Sequence, residues 1–133
     1  MIEINNLTAV SIDESFLKAV AQKVLKGEKQ EDKDLSIALV GQEKIKELNK
    51  RYRGENRATD VLAFPGNGLG EIVICLKEVK KNAKRFNSVF EKELARVLIH
   101  GILHLSGYDH EKREIEARKM MKKEKDYLLS INF

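Results

Sequence analysis

The chain has 133 residues, 42% of them apolar and 35% charged, with a formal net charge of +4. That length accommodates one domain with a single sizeable core and excludes two, while the composition is that of a folded protein and not of a disordered segment. Cys75 is the only cysteine, which excludes an internal disulfide and any zinc site built on several thiolates. The longest apolar runs, such as Ile72 to Leu76, are far too short to span a membrane, and Met1-Ile2-Glu3 lacks the basic start of a signal peptide. A cytoplasmic address with no membrane partner is therefore expected.

Taken in order, Ile2-Glu3-Ile4 predicts a short strand. A helix follows that carries Phe16, Val20 and Val24 on one face, with Ser11 and Glu14 spaced as a capping box. Leu35 to Val40 reads as a buried strand. Gly41 then precedes a helix with Ile45, Leu48 and Tyr52 inward. After an Arg-rich turn, Val61 to Phe64 and Glu71 to Ile74 are two strands joined by the turn residues Pro65-Gly66-Asn67-Gly68. So short a connection requires them to pair antiparallel, whereas strands joined through helices pair parallel.

From residue 77 the pattern turns helical. Val79, Ala83 and Phe86 mark one helix, and Ser88 with Glu91 is spaced as a second capping box opening the next. The apolar positions Leu94, Val97, Leu98 and Ile102 of that next helix make it the central buried one, and Gly107 can supply the left-handed cap that stops it. A last, strongly charged helix from about Lys112 to Leu129 has Ala117, Met121 and Leu128 as its packed stripe. The expected architecture is an α/β (α+β) fold: residues 1–133 form a single domain, with a small mixed four-stranded sheet, one antiparallel edge strand, and helices packed against it around a central metal-bearing helix.

All three histidines lie in His100-Gly101-Ile102-Leu103-His104-Leu105-Ser106-Gly107-Tyr108-Asp109-His110. Residues i and i+4 project from one helical face, so His100 and His104 can address a common point, and a chain reversing at Gly107 can return His110 as a third ligand. Three neutral imidazoles suit one zinc-like ion per chain and leave a fourth tetrahedral position for water, the pattern of a catalytic site. The spacing is also that of the extended zinc-peptidase motif, but Gly101 stands where that motif has its glutamate base. Phosphoryl chemistry leans on positioning and charge, and Arg51, Arg53 and Arg57, with Asp60 beside them, offer guanidinium groups able to grip a phosphate bidentately.

Charge is distributed unevenly. Lys77 to Arg96 holds seven basic residues against three acidic ones, so Lys77, Lys80, Lys81, Lys84 and Arg85 are the candidates for touching a polyanion. Only eight residues are aromatic, and most occupy core-like positions, which leaves little material for a base-stacking platform.

Three segments together resemble the YbeY-type endoribonucleases of bacterial ribosomal RNA maturation. They are His100-Gly101-x-Leu103-His104-Leu105-x-Gly107-Tyr108-Asp109-His110; Leu48-Asn49-x-x-Tyr52-Arg53-Gly54 with Thr59-Asp60-Val61-Leu62-x-Phe64-Pro65; and Leu69-Gly70-Glu71-Ile72-Val73-Ile74. Glu124 fits as well. Ala63 stands where the family often has serine and Glu71 where it often has aspartate, and the N-terminal part is short. The resemblance implies a zinc-dependent hydrolase cutting single-stranded RNA in the processing and quality control of small-subunit ribosomal RNA, with ribosomal RNA and the small ribosomal subunit as partners. It also implies zinc bound by His100, His104 and His110, and Arg53 as the functional arginine. A zinc peptidase with Glu71 or Asp109 as base, and a ribosome-assembly factor with a structural metal, are the alternatives; the oligomeric state is open, with a monomer the simplest case.

Overall fold

Helical and strand periodicities alternate along the chain, and the computed structural model, which describes residues 1–109 and 113–133, folds them in that order. The elements are β1 (Ile2–Asn6), α1 (Glu14–Gly27), β2 (Leu35–Val40), α2 (Gln42–Arg53), β3 (Val61–Phe64), β4 (Gly70–Cys75), α3 (Leu76–Arg85), α4 (Phe90–Leu105) and α5 (Glu114–Leu129). The four strands form one sheet in the order β1-β2-β4-β3. β1 and β4 both run parallel to β2, and β3 pairs antiparallel with β4, Val61 opposite Ile74 and Phe64 opposite Glu71. The mixed sheet with its antiparallel edge is the expected one. Gly70 makes the tight return possible: its φ is +141°, and a Cβ there would meet the Phe64 carbonyl oxygen at 2.4 Å.

Strand alternation divides the interior into two cores. Leu35, Ile37, Leu39, Ile72 and Ile74 point to one face, where they bury with Leu17, Val20 and Val24 of α1 and Val97, Leu98 and Ile102 of α4. Ala38, Val40, Val73 and Cys75 point to the other, against Ile45 of α2 and Leu62 of β3. The sheet therefore lies between α2 on one side and α1, α3, α4 and α5 on the other, with α4 as the central helix. Burial in the smaller core also pushes the Cys75 thiol above its ordinary pKa, as expected for an inert structural cysteine.

Several local expectations are corrected. Ser11 does not cap α1; Asp13 does, its carboxylate accepting from Phe16 N at 3.2 Å, because it lies two residues nearer the first turn and brings a charge to the helix N-terminus. Ser88 does not cap α4, which begins at Phe90 after an N-cap at Val89. Its amide instead donates to Ala83 O at 2.8 Å, closing the end of α3. Phe86 leaves the apolar face of α3 because the helix stops at Arg85, and its ring is exposed. On α5 the buried methionine is Met120, not Met121, since the inward stripe runs through Glu124 and Tyr127 and so carries the polar contacts that disguise it. Tyr52 points outward rather than into the core and is 60% exposed, because at the last turn of α2 it meets Phe64 of the edge strand β3, which covers only part of its ring. Gly107, with φ +109°, follows the last turn of α4 as expected.

Candidate active site

A cleft of about 630 Å³ opens around the β3 edge of the sheet. Its rim is the end of α2, where the left-handed Gly54, φ +72°, stops the helix immediately after Tyr52 and Arg53. The floor is Thr59 to Phe64, and the opposite wall is one face of α4 with Arg96, Val97, His100, Gly101 and His104, completed by Asp109 beyond the turn. Arg96, His100 and His104 recur at i, i+4 and i+8, so helix geometry alone aligns them on that wall. The loop between α2 and β3 is pinned from inside by buried Asn49, whose Nδ2 donates to Arg57 O at 2.9 Å.

Beneath the histidines runs a chain of charges. His100 Nδ1 is 3.0 Å from Glu124 Oε2 on α5. Arg96 donates to the other Glu124 oxygen at 3.1 Å and forks onto Glu93 at 2.9 and 2.6 Å, and it approaches Asp60 at 3.6 Å. Asn82 of α3 also donates to Asp60, at 3.2 Å. Burial by itself raises the pKa of Glu124, but the His100 hydrogen bond and the Arg96 charge outweigh it, and the carboxyl is held below the ordinary glutamate value. Arg96 is held more firmly protonated, chiefly by its hydrogen bonds to Glu93. An ionised Glu124 can only accept, so the His100 nitrogen facing it, Nδ1, bears a proton, and in the neutral ring that leaves the lone pair on Nε2. A carboxylate behind an imidazole is the arrangement that orients a metal-ligating histidine.

Of the residues singled out in the sequence, Arg53, His100, His104, Asp60 and Asp109 line this one cleft. His110 lies outside the described residues. Among those described, no three His, Cys, Asp or Glu side chains converge as a ligand set. Two imidazoles one turn apart, one with its tautomer fixed, are donor chemistry that fits a zinc-like ion. Arg51 and Arg57 are exposed elsewhere, Arg57 paired with Glu55 at 3.2 Å, and Glu71, exposed near the start of β4, reaches Ser36 of β2. Gly101 is buried against the sheet, where a Cβ would meet three Ile72 side-chain carbons at 3.1 to 3.3 Å. The part Arg96 plays was missed in the sequence, although its spacing of four from His100 was the available signal.

The endoribonuclease YbeY family model matches residues 3–132. The chain belongs to this family. It is 48% identical over 100 residues to endoribonuclease YbeY of Thermotoga maritima, covering 73% of this chain and 67% of the relative. The corresponding figures for the Thermodesulfovibrio yellowstonii protein are 50% over 105 residues, 73% and 66%. The Chlorobium luteolum protein is 36% identical over 131 residues, covering 96% and 95%. The matched segment thus spans about two thirds of the first two relatives and nearly all of the third. A solution structure of a Thermotoga maritima protein superposes with a TM-score of 0.69 at 40% identity, covering 96% of this chain and 87% of that one. Two of the three segments that resemble YbeY line the cleft, the α4 segment with His100 and His104 and the α2 end with Arg53 continuing into β3, whereas the third, Leu69 to Ile74, forms β4 beside it and lends the cleft no residue. No helix among the described residues is long and apolar enough to cross a membrane.

Proposed function

We propose that the chain is a zinc-dependent endoribonuclease that cuts single-stranded ribosomal RNA in the cytoplasm, acting in the processing and quality control of the small ribosomal subunit. The observation that carries this is the convergence of Arg53, His100 and His104 on one cleft of a YbeY-family chain. Such a cleft offers a cationic fork for a phosphate next to ligands for a Lewis acid. His100 and His104, with His110 as third ligand, would hold the ion, which when bound supplies positive charge for the phosphoryl group.

The protein's own residues do the rest. Arg53 grips a non-bridging phosphate oxygen and orients the phosphodiester. Glu124 accepts the Nδ1 proton of His100 and keeps the Nε2 lone pair available for ligation. Arg96 offsets part of the negative charge of Glu93 and Glu124, which reduces the repulsion that these carboxylates beneath the cleft exert on a phosphate.

The peptidase alternative loses one of its two candidate bases and keeps the other, Asp109, which lines the cleft. Glu71 does not line the cleft, and at position 101, where the peptidase motif has its glutamate, even a Cβ would press on Ile72 at 3.1 to 3.3 Å. The deciding experiment is metal analysis of the purified chain followed by cleavage of single-stranded and duplex RNA. Arg53→Lys should bind the same amount of zinc yet cut at least about tenfold more slowly, because a point charge does not reproduce the guanidinium fork. Full activity in that variant, or turnover of peptide and not RNA by the zinc-loaded chain, would overturn the reading.

A further inference from the structure

Tyr52 is the anomaly of the cleft. It is placed on α2 at the spacing of the inward residues Ile45 and Leu48, yet it is 60% exposed. It is not loose: the ring packs edge-on against Phe64, centroids 5.1 Å apart and planes at 62°, and Phe64 is held in β3 by its pairing with Glu71. The contact fixes the ring and still leaves most of its surface to solvent. Among the described residues, Tyr52 and Phe64 are the aromatic ones that line the cleft.

The neighbour in sequence is Arg53, which lines the same cleft. Consecutive helical residues project about 100° apart, so the two side chains serve adjacent regions of the rim rather than one point. A nucleotide presents two chemistries in the same juxtaposition, a phosphate and an aromatic base joined through a sugar. Every base has a π-face, and stacking on an aromatic side chain is tolerant of sequence. A base in a duplex is already stacked and paired, whereas an unpaired one can be splayed onto a protein ring.

We propose that Tyr52 is a base-stacking platform, seating an unpaired nucleobase of the strand whose phosphate Arg53 holds. The inference rests on the endoribonuclease reading and deepens it: single-strand preference comes from this ring, and the reacting strand is read by stacking without regard to base identity. It also revises the expectation, drawn from the aromatic content, that RNA contact is purely electrostatic.

The chain contains no tryptophan, so Tyr52→Trp installs a single indole reporter on the platform. Single-stranded oligoadenylate should quench its fluorescence, and an RNA duplex of equal length should not. Tyr52→Leu in the full chain should bind oligoadenylate about 5- to 100-fold more weakly, with Tyr52→Phe close to the parent. All of these should bind an abasic strand of the same charge equally. Unquenched Tyr52→Trp in a chain that binds the oligonucleotide, or a Tyr52→Leu affinity equal to the parent's, would overturn stacking while leaving the nuclease reading intact. Failure of the parent chain to bind or cut any RNA would overturn both.

Discussion

His100 and Glu124 are 24 residues apart in the chain, and Nδ1 of the one lies 3.0 Å from Oε2 of the other. The contact joins the central helix to the last one directly behind the cleft. Replacing the carboxylate by an amide keeps the shape but permits the ring to adopt the other tautomer. Glu124→Gln should therefore lower zinc affinity about 10- to 100-fold, measured by competition with a chelator, in a protein that still unfolds cooperatively. Unchanged affinity would mean that Glu124 serves only the Arg96 network.

Gly101 marks how closely α4 approaches the sheet. An alanine gains helix propensity but presses on Ile72, which is fully buried and held on several sides. Gly101→Ala should lose about 1 kcal/mol net, overpacking outweighing the propensity gain. Adding Ile72→Val removes the Cδ1 atom nearest the new methyl. The double variant should then be more stable than the sum of the two single changes, as read from urea midpoints. Simple additivity would show that the helix can shift without strain.

Acid stability should depend on Glu78. Gln42 Nε2 donates to its carboxylate at 2.7 Å, and Lys81 lies 3.3 Å away; the Gln42 hydrogen bond is the main cause holding the Glu78 pKa below the ordinary value of 4.5. A folded-state pKa below the unfolded one means that the contribution is fully present above about pH 4.5 and disappears as pH falls through the folded value. Unfolding midpoints of the parent chain should fall on acidification from pH 6 toward pH 3, and Glu78→Gln should flatten part of that fall. An unaltered profile would place the acid sensitivity elsewhere.

Lys77, Lys80 and Lys84 are exposed on α3, which is tied to the cleft through the bond from Asn82 to Asp60. If they track the RNA backbone, each phosphate neutralised releases counterions at about 0.7 per contact on a single strand. Changing all three to glutamine should therefore reduce the log-log salt slope of RNA affinity by about two and weaken every RNA sequence alike. A slope that did not change would identify this helix as a solvated face.

What the sequence determined by itself was whatever a single element encodes locally. The alternation of strands and helices, the antiparallel β3–β4 turn and the shared face of His100 and His104 all follow from periods of 2 and 3.6 residues and from glycines at the turns. The aromatic motif residue Tyr52 was legible as a position, but not as an exposed residue, because exposure depends on what the last turn of α2 packs against, here the ring of Phe64 on the edge strand. Met121 and Phe86 were misjudged for related reasons: the phase of α5 is set by its contacts with α4 and with the end of α1, and α3 stops one residue before its apolar pattern does. Only the tertiary structure decided that Arg96 counts as a neutralised element of the site rather than as part of a basic surface. Its partners Glu93 and Glu124 lie 3 and 28 residues away, and the second contact exists only because the packing of α5 on α4 brings that carboxylate beneath the cleft.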